Sequence, residues 1–344
     1  MAVRPFAPGD VVLVQRLRRY ATKFHIAKHL LQPFSPLWAA LSAYLPWEHH
    51  TCLTYVLRQD GNGLARTGFA QWRLLPDEAS AWLLFLAPAL DAPLGHPAVW
   101  QKILSQSALH LADHQVRHLF AEGPDQPLVV HTLAQAGFQL YTRETIWRLV
   151  TAPYAWAIPE ATDIRQQTEA DAWELEQLYI RITPGPVRRV ESEDPGRRAG
   201  ANRSQAPILH SFDPRLPMNG YVLREAGQVV GCVQLVHGPA GIWLRLWADL
   251  DEPDQARILL RYALQQTIES SFHGSVYMAL REYEESRASI LSHYGFAPFT
   301  DRVRLVRNVW QWATRAQPAQ AQALETVGEV APGSLAIPKS SRGQ

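Results

Sequence analysis

Between Gly9 and Tyr20 the apolar residues at positions 11, 14 and 17 keep the spacing of a helix with one buried face. The pattern then shifts to strands. Thr51 to Arg58 reads as one, Asp60-Gly61-Asn62-Gly63 offers residues that tolerate positive φ in a tight hairpin turn, and Ala65 to Leu75 reads as the returning partner. Ala81 to Ala87 is an apolar third strand. Ala98 to His114 predicts a long helix, Val116 to Ala121 a buried strand, and Leu128 to Gln135 a short helix that Gly137 ends. Phe138 to Leu149 closes the unit as a last strand.

The same order then returns. A helix over Glu169 to Arg181 is followed by a hairpin over Tyr221 to His237 and a strand over Ile242 to Ala248. A long helix over Pro253 to Ser271, a strand over Ser275 to Leu280, a helix over Glu285 to His293 and a strand over Phe296 to Val309 complete it. Individual residues echo as well. Tyr55-Val56-Leu57-Arg58 recurs as Tyr221-Val222-Leu223-Arg224, Gly68 and Gln71 as Gly231 and Gln234, Leu90-Asp91-Ala92-Pro93 as Leu250-Asp251-Glu252-Pro253, and Gly137-Phe138 as Gly295-Phe296. The offset drifts from 166 to 158 without a change of order, as small loop insertions and deletions in a duplicated module would produce.

The expected class is therefore α+β, two tandem units that are each a mixed sheet flanked by helices. The boundaries read as 1–150 for the first unit, 151–160 for a linker and 161–312 for the second. Within the second, residues 183–219 are rich in Pro, Arg, Gly and Ser and read as a long loop. Residues 313–344 have no apolar periodicity and read as a disordered tail.

Composition narrows the functional classes. With 47% hydrophobic and 19% charged residues, the 344-residue chain can bury two cores, and its net charge of +1 offers no global field for nucleic acid or an anionic membrane. Two cysteines, Cys52 and Cys232, argue for a reducing compartment, and MAVRPFAPGD lacks a signal-peptide core. The expectation is a cytoplasmic protein with neither a membrane span nor a nucleic-acid partner.

The element order, together with Leu133 to Phe138 (LAQAGF) and Leu291 to Phe296 (LSHYGF), resembles the GNAT acyltransferase superfamily. The regions around Asp10 and Asp171 are similar to its opening, where an Asp after the first strand starts the first helix. The resemblance implies acetyl-CoA as cosubstrate and a small amine as acceptor. It places the acyl-CoA where two neighbouring strands splay, here at Leu86, Ala87, Gly95 and His96 in the first copy and Leu246, Trp247 and Ala248 in the second. In the family a glycine-rich loop at the start of the long helix cradles the diphosphate, and a Tyr often protonates the leaving thiolate.

Both signatures are rewritten here. The first loop, Leu90 to Val99, has Gly95 as its one glycine, and Pro93 and Pro97 lack N–H donors. The second, Asp249 to Gln255, has no glycine and carries Asp249, Asp251, Glu252 and Asp254, which are good helix-capping residues but like charge for a diphosphate. Leu133 and Leu291 stand where the family's Tyr belongs. Tyr294 is the nearest substitute as an acid, with a packing aromatic as the plainer reading.

Other candidates are weaker. His110 and His114, with His118 beyond, and His25 and His29 have spacings that could hold zinc, but no HExxH occurs and ordinary helix-end histidines suffice, so no metal is expected. His49-His50 follows an aromatic stretch near a conceivable acceptor pocket. Arg188, Arg189, Arg197, Arg198, Arg203 and Arg215 in the long loop suit an anionic ligand or simply a solvated loop. Two functions stay open: acyl transfer from acetyl-CoA to an amine, and a non-catalytic double-GNAT scaffold that binds a small molecule or a protein partner.

Overall fold

The structure is a computed structural model that describes residues 2–42, 44, 52–58, 67–74, 79–150, 157, 162–192, 216–270 and 274–309. The hairpin turn at Asp60 to Gly63, His49-His50, most of the 151–160 linker, the arginines from Arg197 to Arg215 and the 313–344 tail lie outside the described residues. In the first half the order is β1 (Ala2–Pro5), α1 (Val11–Leu17), β2 (Thr22–Lys23), α2 (Ile26–Leu31), α3 (Pro36–Ser42), β3 (Cys52–Arg58), β4 (Gly68–Leu74), β5 (Ser80–Ala87), α4 (Pro97–Asp113), β6 (His118–Pro124), α5 (Pro127–Gln135) and β7 (Gln139–Leu149). The second half repeats it with β8 (Asp163–Gln166), α6 (Ala172–Ile182), α7 (Gly185–Ser192), β9 (Met218–Glu225), β10 (Gln228–His237), β11 (Gly241–Ala248), α8 (Pro253–Glu269), β12 (Ser275–Arg281), α9 (Ala288–His293) and β13 (Phe296–Asn308).

The duplication extends to side-chain geometry. Asp10 and Asp171, each 1% exposed, start the first helix of their copies. Each accepts two guanidinium hydrogen bonds, Asp10 from Arg4 and Asp171 from Arg165, and each takes a backbone N–H, from Ala7 at 3.0 Å and Thr168 at 2.8 Å. A second arginine stands farther off in each copy, Arg58 at 3.9 Å and Arg224 at 3.6 Å. Gly68 and Gly231 likewise mark the place where the long helix crosses the sheet. A Cβ on Gly68 would lie 2.8 Å from Ile103 Cδ1, and one on Gly231 would lie 2.6 Å from Leu259 Cδ1.

All the described strands belong to one sheet, in the order β1-β3-β4-β5-β6-β13-β7-β12-β11-β10-β9-β8, with β2 pairing β5 off that path. Exchanging the copies reverses the order onto itself, so a pseudo-twofold axis runs between β13 and β7. Here the structure corrects the expectation for Phe138 to Leu149. That strand does not close its own unit but pairs with β12, while β13 pairs with β6. The two last strands also pair with each other, from Phe296↔Leu149 to Val306↔Gln139. A buried ionic layer fixes this centre: Arg304 Nε donates to Glu144 Oε2 at 2.7 Å, and Arg302 and Arg304 stand 3.6 and 3.8 Å from Glu122. Burial, then the neighbouring Glu144, raises the Glu122 carboxyl above its ordinary range.

Each core is completed by the other copy's last strand. Val303 and Leu305 of β13 enter the core under α4 and α5, whereas Trp147 and Leu149 of β7 enter the core under α8 and α9. Short helices cross over too. Ala27 and Leu31 of α2 pack on Ile146, Val236, Trp243 and Tyr277, and Val190 of α7 packs on the cluster of Trp82, Phe120 and Val306. Residues 185–192 are therefore helix and not part of a 183–219 loop. The Gly, Pro and Arg content suggests a loop, but Val187 and Val190 share one helical face that finds cover on the sheet. Among the described residues no helix is long and apolar enough to cross a membrane.

Leu133 and Leu291 sit at 0% and 1% exposure in the two cores. Truncating either to alanine should cost roughly 2–5 kcal/mol, read as a shifted urea midpoint at unchanged slope; a near-neutral result for both would contradict this packing.

Candidate functional site

Two places in the sheet fork, because β5–β6 and β11–β12 are its parallel pairs and each pairs over only part of its length. β5 and β6 are paired from Ser80↔His118 to Trp82↔Phe120, and β11 and β12 from Gly241↔Ser275 to Leu244↔Met278. Beyond those residues the strands splay.

The first fork is filled by the chain itself. Thr22 and Lys23 pair with Leu86 and Phe85, Phe24 N–H donates to Leu84 O at 2.9 Å, and His25 N–H donates across to Glu122 O at 3.1 Å. Phe24 is wholly buried and packs on Trp100, with ring centroids 5.9 Å apart. From β13, Arg302 donates to both Lys23 O and Glu122 O, at 2.9 and 2.8 Å. His25 turns the chain into α2 with a left-handed φ of 55°. Residues 18–25 separate α1 from α2 and supply this wedge, whereas only 183–184 separate α6 from α7.

The loop after the first fork is equally self-contained. Ala92 N–H donates to Ala89 O and Gly95 N–H to Ala92 O, while His96 Nδ1 caps α4 by accepting from Ala98 N–H at 3.1 Å. A Cβ at Gly95 would lie 2.7 Å from Leu90 O. Of the four residues expected to meet a coenzyme there, Leu86 is paired by Thr22, Ala87 is wholly buried, and Gly95 and His96 shape the loop and its cap. The wedge leaves them no fork to line.

The second fork holds a narrow cleft of about 30 Å³ that opens to solvent. Trp243, Leu244, Leu246 and Trp247 of β11 and Ile182 of α6 give it apolar walls, and Arg245, Arg281, Arg304 and Glu144 bring charge to it from β11, β12, β13 and β7. His25 and Ala27 reach it from the first half. Arg281 Nη2 lies 2.5 Å from Glu191 Oε1, and Tyr179 donates to the other Glu191 oxygen at 2.6 Å. Burial alone would raise the Glu191 carboxyl, but attraction to Arg281 holds it at about 2. Burial pushes Arg245 the other way, down to about 10, with Arg281 adding repulsion. The His25 imidazole is kept neutral by burial and then by Arg73.

Leu246 and Trp247 line the cleft. Ala248, the last residue of β11, is wholly buried and does not line the cleft; its carbonyl accepts from Arg287. The acidic loop beyond serves the protein's own backbone: Asp249 accepts from Asp251 N–H at 3.2 Å and pairs with Arg181 at 3.2 Å. Tyr294 is 4% exposed in the core under α8, where its hydroxyl accepts from Arg261 Nε at 2.6 Å. The histidines are dispersed. His110 stacks on Tyr55, His29 stacks on Phe34, and His118 meets Asn308; among the described residues no group of three His, Cys, Asp or Glu is placed to hold a metal ion. Glu144, Arg245, Arg281 and Arg304 were not singled out from the sequence. Their one signal there is a charge inside an otherwise strand-like run, as in Gly241 to Ala248.

No family model and no curated relative matches this sequence. Solved structures do match its fold. A tandem GNAT protein from the clavulanic acid biosynthesis pathway superposes with a TM-score of 0.53 at 12% identity, over 90% of this chain and 99% of that one. A GCN5-related N-acetyltransferase from Sphaerobacter thermophilus superposes with a TM-score of 0.50 at 14% identity, over 90% and 96%. The chain is two GNAT folds in tandem.

Proposed function

We propose that this tandem GNAT-fold chain is an acyl-CoA-dependent N-acyltransferase with one working cleft, the fork between β11 and β12. The observation that carries the reading is the asymmetry of the two forks. Residues 21–25 fill the first, while the second keeps an open cleft lined by ionisable groups. Duplication relieves one copy of its site, and the first half then acts as scaffold, giving α2 and His25 to the second. The reaction class is aminolysis of a thioester: an amide C–N bond forms, the C–S bond breaks, the amine gives up a proton and the thiolate leaves as a thiol. The two free cysteines suit a cytoplasmic setting.

The fit to acetyl-CoA is uneven. Trp243, Leu244, Leu246 and Trp247 give the fork an apolar side, but its narrow space would have to widen to take an acyl-pantetheine arm. The loop before α8 does not suit a diphosphate, because Asp249 already takes the Asp251 amide and Pro253 has no N–H to offer. That loop, with Leu291 where an acid would stand, favours a second reading: a cleft that binds a small molecule and transfers nothing.

Calorimetric titration of acetyl-CoA separates the two. One site per chain with micromolar affinity, abolished by Ala279→Phe at the cleft wall, is the expected result, followed by thiol release against an amine panel. Two equivalent sites would contradict the closed first fork. Absence of saturation at millimolar coenzyme would remove the transferase reading.

A further inference from the structure

The cleft between β11 and β12 is narrow, so one of its walls has to give before anything larger than water enters. Two segments wall it from the helix side: α2 through His25 and Ala27, and the corner after α6 through Ile182 and Thr183. They are fastened differently. The α2 wall is tied at both ends, and to both halves of the chain. His25 N–H donates to Glu122 O at 3.1 Å, Ile26 N–H donates to Glu122 Oε1 at 2.9 Å, and Leu31 O accepts from Ala240 N–H at 3.0 Å. Between those ties Ala27 and Leu31 are buried on Ile146, Trp243 and Tyr277. By contrast, α7 is held through its side chains. Val187 is buried, Val190 rests on Trp82, Phe120 and Val306, and Glu191 is bound by Arg281 and Tyr179. The turn leading into it, Pro184-Gly185-Pro186, is exposed. The two prolines fix φ on either side and leave Gly185 as the free joint.

We infer that α7 is a latched gate on the second cleft: it pivots at Gly185, the Glu191–Arg281 pair is its latch, and its release lets Arg281 move out of the narrow space. An ion pair suits this task. Burying Glu191 and Arg281 takes both from water, and separating them returns that hydration, whereas parted apolar surfaces gain nothing back. Arg281 keeps the Tyr283 hydroxyl at 3.1 Å when Glu191 leaves. Because Arg281 itself lines the cleft, a guanidinium released from Glu191 widens the space by swinging aside. The α2 wall stays in place. The gate is a property of the cleft, and its use by a coenzyme rests on the transferase reading above.

Hydrogen–deuterium exchange on the full chain, read by mass spectrometry, tests the gate without a ligand. Amides of residues 187–191 are expected to exchange at least about tenfold faster than those of 26–31. Arg281→Met combined with Glu191→Met replaces the latch with apolar contact, and should slow the α7 amides about tenfold while leaving those of α2 unchanged. If that variant does not fold, Gly185→Ala takes its place. A Cβ at Gly185 would lie 3.8 Å from Arg188 Nη2, an ordinary contact, so the closed turn accommodates it while the joint stiffens and the same amides slow. Equal exchange in the two helices of the unaltered protein, or α7 exchange that the variant does not slow, overturns the inference. Calorimetry with acetyl-CoA keeps the two readings apart. Binding that the folded double variant weakens about tenfold supports both, and binding that it leaves unchanged overturns the gate. No binding by the unaltered protein removes the transferase reading, and the exchange comparison still decides the gate.

Discussion

A chain cut between residues 150 and 162 is expected to give two fragments that do not fold as monomers and that reassemble when expressed together. The reason is the central exchange. Without the second half, β6 loses β13, and the core under α4 loses Val303 and Leu305. Without the first, β12 loses β7, and the other core loses Trp147 and Leu149. The ionic layer is cut as well, since Glu122 and Glu144 lie on one fragment and Arg302 and Arg304 on the other. Leaving one partner of a buried pair alone costs about 3–5 kcal/mol, and a whole domain is stable by only about 5–15 kcal/mol. Each fragment would also carry an apolar strand edge open to aggregation. Circular dichroism melts and size-exclusion profiles of the separate and co-expressed fragments provide the measurement. A cooperative melt from monomeric 1–150 would show that β7 can turn back onto β6, and would make the exchange an option and not a requirement.

Much of this fold is legible in the residues, and the part that is not has a definite cause. The echoes from Tyr55 to Arg58 and from Gly137 to Phe138 are local, and they mark the same elements in both copies of the structure. Strand exchange is invisible at that level. Phe138 to Leu149 has the same alternation whether it pairs with its own β6 or with β12, because pleat and apolar pattern specify a face and not a neighbour. The long-range signal was present in charge: Glu122, Glu144, Arg302 and Arg304 interrupt strands whose centres ought to be apolar, and such groups need one another. The wedge at 21–25 was equally hidden, since its hydrogen bonds go to strands reached only after another sixty residues. The candidate site follows the same logic. Four strands contribute one charged residue each, so no window of sequence contains the cleft, whereas Leu246 and Trp247 were pointed to by the resemblance in topology alone and not by any pattern of their own.

Removing the Arg281 partner of Glu191 should be the costliest single substitution at the cleft. Both side chains are nearly enclosed, 5% and 14% exposed, and they meet at 2.5 Å. Arg281→Met would leave the Glu191 carboxylate with the Tyr179 hydroxyl and only the more distant attraction of Arg304, at a cost of about 3–5 kcal/mol. Adding Glu191→Met should return most of that loss, because two apolar side chains of similar length fill the space without charge. The pH dependence provides an independent check. Burial would raise Glu191, but Arg281 holds it at about 2 in the folded protein, below the ordinary value of 4.5. A depressed carboxyl contributes stability that is fully present above its unfolded value and is lost as pH falls through the folded one. The window is therefore from about 4.5 down to about 2, and the contribution above it is on the order of 3 kcal/mol. Urea midpoints taken between pH 7 and pH 3 should fall steeply in the unaltered protein and less steeply in Glu191→Gln. Equal slopes in the two proteins would mean that Glu191 is not held by Arg281 in solution, and the polar wall of the cleft would have to be redrawn.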